Sequence, residues 1–166
     1  MLYLLDYLAN HPAYIEEVAQ LKYNQWLHTS PDRPWHTWLS EIEESARKDA
    51  PPLTLVALTG TSAEQHELAG FVTLVDMGEK AGQESKLWMI TLYVKEPWRR
   101  QGIGAHLIQR CVQECKRWQR KALYLWTESK ALTNYYTRHG WKLLGTDEET
   151  GEDVMVYRLT KGLKNG

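Results

Sequence analysis

Apolar residues recur at helical spacing in four segments of the chain. The clearest segment is 102–119, where Leu107, Cys111 and Cys115 lie on one stripe together with other apolar side chains. The same spacing predicts helices over 12–28 and 35–48, on either side of a loop that contains two prolines. A shorter helix is predicted over 131–139, because Gly140 follows it in a position that favours helix termination.

Shorter runs rich in Val, Leu, Thr and aromatic residues predict strands between these helices. The predicted strands are 51–58, 67–77, 86–95 and 121–127, followed by a hairpin of 141–146 and 154–160 around an acidic turn. The chain contains no internal repeat and no linker-like change of composition. The pattern therefore predicts one mixed α/β domain over residues 1–166.

Composition and charge narrow the class of protein. The 166 residues are 43% hydrophobic and 25% charged, and 20 Lys and Arg face 21 Asp and Glu. These values are typical of a globular domain, and the near-neutral charge provides no basic field for nucleic acid or an anionic membrane. Two cysteines cannot form a disulfide framework. The N-terminal apolar run has no basic flank typical of a signal peptide, and no apolar stretch is long enough to span a bilayer. A cytoplasmic location is expected.

The segment 92–105 carries the most specific chemical signal. A predicted strand ends there, a short turn brings Arg99 and Arg100, and Gly102 and Gly104 open the next helix. Unpaired backbone N–H groups at a helix start, together with the helix dipole, bind anionic oxygens. Glycines allow a ligand to approach the backbone closely. The segment therefore predicts a phosphate-binding loop.

Two common phosphate-binding loops do not fit this segment. It lacks the Gly-x-x-x-x-Gly-Lys-Ser/Thr run of a P-loop. The dinucleotide fingerprint needs a third glycine where Leu107 stands, and here the arginines precede the first glycine. The remaining match is Arg-x-x-Gly-x-Gly, formed by Arg99, Gly102 and Gly104.

With this motif the sequence resembles the GNAT superfamily of acyl-CoA-dependent N-acetyltransferases. Val94 and Pro97 match the approach to the family's loop, and Tyr136 to Trp141 matches its Tyr-x-x-x-Gly-Phe segment with Trp in place of Phe. The resemblance covers about residues 50–160. It implies a central, mostly antiparallel mixed sheet of about six to seven strands, flanked by helices and splayed at the coenzyme site. The coenzyme-binding core would span about 86–141.

The resemblance also implies which residues bind the acetyl-CoA co-substrate. The backbone of one strand would pair with the pantetheine amides, the loop N–H groups would hold the pyrophosphate, and the first arginine would support the loop. The implied coenzyme-binding residues are Leu92, Tyr93, Val94, Arg99, Arg100, Gln101, Gly102, Ile103, Gly104 and Ala105.

Tyr136 stands at the family's position for the group that donates a proton to the leaving thiolate. A phenol with a pKa of about 10 is protonated at neutral pH and suits that task; packing of the ring under the coenzyme is the alternative. The general base is not evident, since the register where some members carry a Glu falls near Trp126. Glu128, His139 and Asp76 are candidates, and solvated surface is the simpler interpretation of each.

The resemblance implies direct transfer of an acetyl group to a primary amine of a small molecule or a peptide. Without a strong base, a low-pKa amine is slightly favoured: at pH 7, neutralising a lysine amine costs about 4.6 kcal/mol and an α-amine about 1.1 kcal/mol. A non-catalytic acyl-CoA-binding sensor or partner-binding module is the alternative. No metal is expected, because the six histidines lack ligand spacing. Cys111 and Cys115, at i and i+4, could be metal ligands, but they share the apolar stripe of their helix, so core packing is the simpler interpretation. A membrane or nucleic-acid partner is not expected, whereas a homodimer is common among relatives.

Overall fold

The computed structural model describes residues 3–62, 65–78 and 85–159. Within these ranges the chain forms seven strands and four α-helices. The strands are β1 (Tyr3–Tyr7), β2 (Leu53–Ser62), β3 (Gln65–Met77), β4 (Lys86–Val94), β5 (Ala122–Thr127), β6 (Lys142–Thr146) and β7 (Asp153–Arg158). The helices are α1 (Ile15–Trp26), α2 (Trp35–Glu44), α3 (Ile103–Arg117) and α4 (Lys130–Arg138).

The seven strands form one mixed, mostly antiparallel sheet in the order β1-β2-β3-β4-β5-β7-β6. The pairs β1–β2, β2–β3, β5–β7 and β6–β7 are antiparallel, and β4–β5 is parallel. The predicted mixed α/β fold with six to seven strands is confirmed. A parallel pair needs a crossover connection, and here α3 provides it between β4 and β5.

The chain divides into two compact units. The first comprises Met1–Leu74 and Thr91–Arg110, and the second comprises Val75–Ile90 and Cys111–Gly166. In the first unit, α1 and α2 lie against β2 and β3 through a fully buried cluster. Its members are Leu8, Val18, Ala19, Ile42, Val56, Leu58, Leu68 and Phe71. Burial of such side chains contributes about 1.5–3 kcal/mol each relative to exposure, and it fixes both helices on the sheet.

In the second unit, buried Asp153 ties the start of α4 to the β6–β7 hairpin. Its carboxylate accepts hydrogen bonds from the hydroxyls of Thr133 (2.7 Å) and Thr146 (2.6 Å) and from the Lys130 ammonium (3.0 Å). These bonds lower the pKa of Asp153 to about 2, with the Thr146 bond first among the causes. The carboxylate therefore stays charged and paired under physiological conditions.

The sequence pattern placed most elements correctly and missed β1. The helix predicted over 35–48 ends at Glu44, and the one predicted over 12–28 is α-helical only from Ile15 to Trp26, with a 3₁₀ turn at each end. The segment 3–7 shows no clean alternation, because Leu4 is 51% exposed while its neighbours are half-buried. Without that alternation the periodicity gave no strand signal.

Candidate active site

The loop between β4 and α3 is anchored at its entry by side chains of the first unit. The Arg99 Nε donates a hydrogen bond to the carbonyl of Val94 (2.7 Å), which closes the turn onto the end of β4. The Lys95 backbone N–H bonds to the Ala69 carbonyl of β3 (2.8 Å), and the Lys95 ammonium pairs with Glu17 of α1 (2.7 Å). The loop is thus held by the sheet and by α1 before any ligand binds.

The loop backbone combines two left-handed residues with the start of a helix, which suits an anion. Arg100 and Gly102 both have positive φ, 64° and 84°, and α3 begins at Ile103. Left-handed residues in turns are typical of the backbone concavities that bind anions, and the first N–H groups of a helix have no intrahelical acceptor. Arg99, Arg100 and Gln101 of this loop are exposed. The arrangement supplies backbone donors, a helix dipole and two guanidinium groups.

Space for a ligand exists above the two loop glycines. A Cβ added to Gly102 would meet no atom within 4 Å, and one added to Gly104 would meet only Val94 Cγ2, at 3.8 Å. Gly102 is needed for its positive φ, whereas Gly104 adopts a helical conformation open to other residues. Both positions leave the backbone accessible, as a cradle for a pyrophosphate requires.

The strand that leads into the loop is packed on one side by aromatic rings. The Tyr93 ring lies 5.8 Å from that of Phe71 and 6.4 Å from that of Trp26, and the Arg99 guanidinium lies 5.6 Å from the Tyr93 ring. Gly70 of β3 approaches β4 closely, since a Cβ there would lie 2.7 Å from the Tyr93 carbonyl oxygen. These contacts fix the backbone of 92–94.

Thr91 shows local strain in the middle of β4. Its φ is 52°, a region that a β-branched residue rarely adopts, and such a conformation costs about 1–3 kcal/mol. Its hydroxyl is buried and makes no hydrogen bond within the described residues. No sequence signal marked this residue, because Thr is an ordinary strand former.

The pairing between β4 and β5 is short. Within the described residues it joins Leu87 with Leu123 and Trp88 with Tyr124, although both strands continue beyond these pairs. If β4 and β5 were paired over their whole length, the next pair of the ladder would be Met89 with Leu125. The second unit therefore contains the start of an opening in the sheet, as the family resemblance implies.

Tyr136 is positioned by α4 in the second unit. The helix begins at an N-cap in which the Ser129 hydroxyl accepts a hydrogen bond from the Leu132 N–H (3.3 Å), and it ends before Gly140, whose φ is 92°. Tyr136 is 6% exposed and lies 5.6 Å from the buried Trp141 ring. Burial raises the pKa of Tyr136 well above 10, and Tyr135 and Cys111 act in the same direction. Its hydroxyl keeps its proton across the physiological pH range.

A sequence model of the acetyltransferase (GNAT) family matches residues 12–141, most of the chain and all of the loop just described. The chain belongs to this family. It is accordingly an acyltransferase of the GNAT type. No curated protein sequence matches the chain significantly.

Solved structures of other GNAT proteins have the same fold. A structure of the NatC complex bound to Gag peptide and CoA is 15% identical, with a TM-score of 0.71, covering 96% of this chain and 100% of that chain. Arabidopsis thaliana NAA60 with a bisubstrate analogue is 16% identical, with a TM-score of 0.67 and coverage of 95% and 99%. Aminoglycoside 6'-acetyltransferase type Ii is 17% identical, with a TM-score of 0.66 and coverage of 93% and 96%.

The candidate bases of this GNAT protein are surface groups in the second unit. Asp76 pairs with Arg120 (2.7 Å). His139 is exposed and its ring lies tilted against that of Tyr135, with centroids 4.4 Å apart, and Glu128 is exposed. Trp126 occupies the strand register in which some GNAT members carry a Glu, and it is 41% exposed. That the chain carries no evident general base stays a prediction.

Both cysteines and Trp38 of this GNAT protein are buried in its interior. Cys111 and Cys115 are fully buried and form no disulfide, as core packing predicts, and burial raises the pKa of Cys115 to about 11. Trp38 is buried under the Arg33 guanidinium, which lies 4.6 Å from its ring.

Within the residues that the structure describes, no group of three or more His, Cys, Asp or Glu converges on a metal position. None of the described helices is long and apolar enough to cross a bilayer.

Proposed function

We propose that this chain transfers the acetyl group of acetyl-CoA directly to a primary amine of a small molecule or a peptide. The observation that carries the proposal is the loop at the start of α3, in which Arg100 and Gly102 have positive φ angles and two arginines precede the helix start. This arrangement suits a pyrophosphate, which needs several fixed N–H donors and positive charge. Structures in the same family contain acetyl-CoA or CoA.

The loop and the strand before it would bind the coenzyme. The N–H groups of Arg100 to Ala105 would hold the pyrophosphate, and the Arg99 bond to Val94 would keep the turn closed. The backbone of 92–94 would pair with the pantetheine amides as an added strand does. A thioester held in this way supplies an activated acetyl carbon, so that no covalent intermediate on the protein is needed.

Tyr136 would stabilise the leaving sulfur. Burial keeps its phenol protonated, so its O–H can donate a hydrogen bond to charge that develops on sulfur. Full transfer of the phenol proton is uphill, because the pKa of an ordinary thiol is about 8.5. The proton that the attacking nitrogen loses therefore completes the CoA thiol. One N–C bond forms, one C–S bond breaks, and one proton moves from nitrogen to sulfur.

The acceptor would enter as a neutral amine. An α-amine with a pKa of about 7.8 is neutral in about one molecule in seven at pH 7, and a lysine amine in about one in 2,500. This difference favours an α-amine or another low-pKa amine when no strong base assists. Among the similar structures, one contains a peptide and another is named for an aminoglycoside. We expect the reaction to occur in the cytoplasm, a reducing compartment in which cysteines outside disulfides, such as the two of this chain, stay reduced.

Thiol release from acetyl-CoA, measured across a panel of amines, tests the proposal. The panel comprises polyamines, aminoglycosides, amino acid amides and peptides with free N-termini or internal lysines. Release that depends on one class of amine supports the proposal and names that class. Binding of acetyl-CoA with no amine-dependent release from any class would contradict it.

The variant Tyr136→Phe tests the role of the phenol. A hydrogen bond to a charged group contributes about 1.5–3 kcal/mol, so kcat should fall by about 10- to 150-fold while the Kd for acetyl-CoA stays unchanged. Tyr135→Phe is the matched control, since Tyr135 is the adjacent and half-buried residue of the same helix. An equal effect of both substitutions, or none from either, would remove Tyr136 from the mechanism.

A further inference from the structure

Three aromatic rings form a partly exposed surface on β4 and β5 of the second unit. They belong to Trp88, Tyr124 and Trp126 and are called the aromatic platform below. The Trp88 ring centroid lies 5.0 Å from that of Trp126 and 5.4 Å from that of Tyr124. Trp126 is 41% exposed, and the other two are half-buried. The mechanism proposed above assigns no role to these rings.

The packing of the sheet does not account for the aromatic platform. Side chains alternate between the two faces of a strand, and Leu87, Met89, Leu123 and Leu125 occupy the buried face. The residues between them point to the opposite face, where polar residues are the usual choice when water is near. A contiguous exposed apolar surface is typical of an interaction site. Trp and Tyr provide large rigid contact areas for ligands.

The aromatic platform borders the opening between β4 and β5. The last paired residues of the two strands are Trp88 and Tyr124, and Trp126 follows on β5 beyond the end of the pairing. Trp88 also precedes by four residues the start of the stretch 92–94, which we assign to the pantetheine. A molecule on the aromatic platform would therefore contact the residues at which the sheet opens.

The charges around the aromatic platform indicate the kind of molecule that fits. The turn between β6 and β7 carries Asp147, Glu148, Glu149 and Glu152. In the β5–β7 ladder, Trp126 pairs with Val154 and Thr127 pairs with Asp153. The acidic turn comes directly before Asp153 in the chain, so it lies at the Trp126 end of this ladder. At the other end, the Lys86 ammonium lies 5.0 Å from the Tyr124 ring centroid, so a cation already stacks on this aromatic surface. Aromatic rings beside a negative turn complement a flat apolar group that bears an amine.

We propose that the aromatic platform binds the acceptor, and that the acceptor is an α-amine adjacent to an aromatic side chain. This inference rests on the proposed acetyltransferase function and narrows its substrate class. The acceptor's ring stacks on Trp126 and Trp88, while its ammonium is attracted toward the acidic turn before it loses a proton. Polyamines and aminoglycosides, which lack an aromatic ring, are poorer acceptors.

The test compares phenylalaninamide with alaninamide as acceptors in the thiol-release assay. Both present an α-amine, and only one carries a ring. Aromatic pairing contributes about 0.5–1.5 kcal/mol beyond area burial, so phenylalaninamide should have a kcat/KM at least about 2- to 12-fold higher. Trp126→Ala should abolish this preference through KM, and Trp126→Phe should restore most of it. Leu144→Ala removes another exposed apolar side chain of the second unit and should change neither substrate.

Calorimetric titration with phenylalaninamide provides a readout that does not depend on turnover. Wild type should bind it more tightly than alaninamide, and Trp126→Ala should lose the difference. Equal kcat/KM for the two amides, or a preference that survives in Trp126→Ala, would overturn the aromatic platform proposal and leave the acetyltransferase function intact. If no amine releases thiol although acetyl-CoA binds, the proposed function fails, and the titration alone then decides whether the aromatic platform binds the ring. A peptide with N-terminal Phe, compared with the amide, distinguishes peptide from small-molecule acceptors.

Discussion

Replacing Gly104 by Asp should have opposite effects on coenzyme binding and on protein stability. Gly104 is the second residue of α3, and a side chain there meets only Val94 Cγ2. A carboxylate in the first turn interacts favourably with the helix dipole, by about 0.3–1 kcal/mol. Glycine is also the weaker helix former of the two. The ligand-free variant should therefore be at least as stable as wild type in thermal unfolding.

The same carboxylate would repel a pyrophosphate at the start of α3. Two unit charges about 6 Å apart interact by about 2.8 kcal/mol at an effective dielectric constant of about 20. One such interaction should weaken acetyl-CoA binding by about 100-fold. Two phosphate charges would increase the effect.

Isothermal titration calorimetry with acetyl-CoA measures this effect, and Gly104→Ala is the matched control. The Ala variant adds a Cβ without charge and should retain affinity, because its nearest contact, at 3.8 Å, is an ordinary one. Unchanged affinity in a folded Gly104→Asp variant would refute the assignment of the loop to the pyrophosphate. Loss of affinity in both variants would point to shape rather than charge as the requirement.

Two further predictions concern stability. Gly102→Ala should destabilise the protein by about 1–2 kcal/mol, because φ at this position is 84° and a Cβ disfavours that region; an unchanged Tm would show that the loop relaxes without strain. The pKa of Asp153 is lowered from 3.8 to about 2, so its stabilising contribution is present above pH 4 and is lost as the pH falls from about 4 to 2. Asp153→Asn should lower the Tm at neutral pH and flatten its dependence on pH in that window, and parallel Tm curves for variant and wild type would contradict the role of this carboxylate.

The elements that repeat a local pattern could be predicted from the sequence. The α3 stripe of Leu107, Cys111 and Cys115 is buried as its spacing indicates, and Gly140 ends α4 with the positive φ that a helix terminus favours. The loop at Gly102 could also be predicted, because a strand, two arginines and two glycines follow one another there in the sequence. In each case local preference and tertiary structure agree.

Features that depend on tertiary context could not be predicted. The strained φ of Thr91 contradicts the preference of a β-branched residue, so no local rule indicates it. Trp126 is 41% exposed because it lies on the strand face opposite to the buried Leu123 and Leu125, and only the folded sheet shows which face is covered. The raised pKa of Tyr136 follows from burial beside Trp141, which only the folded chain shows.

The most direct test of acetyl transfer is mass spectrometry of the products of wild-type protein, acetyl-CoA and a low-pKa amine such as phenylalaninamide. Thiol and N-acetylated amine are measured in the same samples. The account predicts that they appear in equal amounts, and that thiol release stops when the amine is omitted. Thiol release without acetylated amine would indicate hydrolysis of the thioester. Either that result or the absence of product from every amine, with acetyl-CoA bound, would contradict direct transfer.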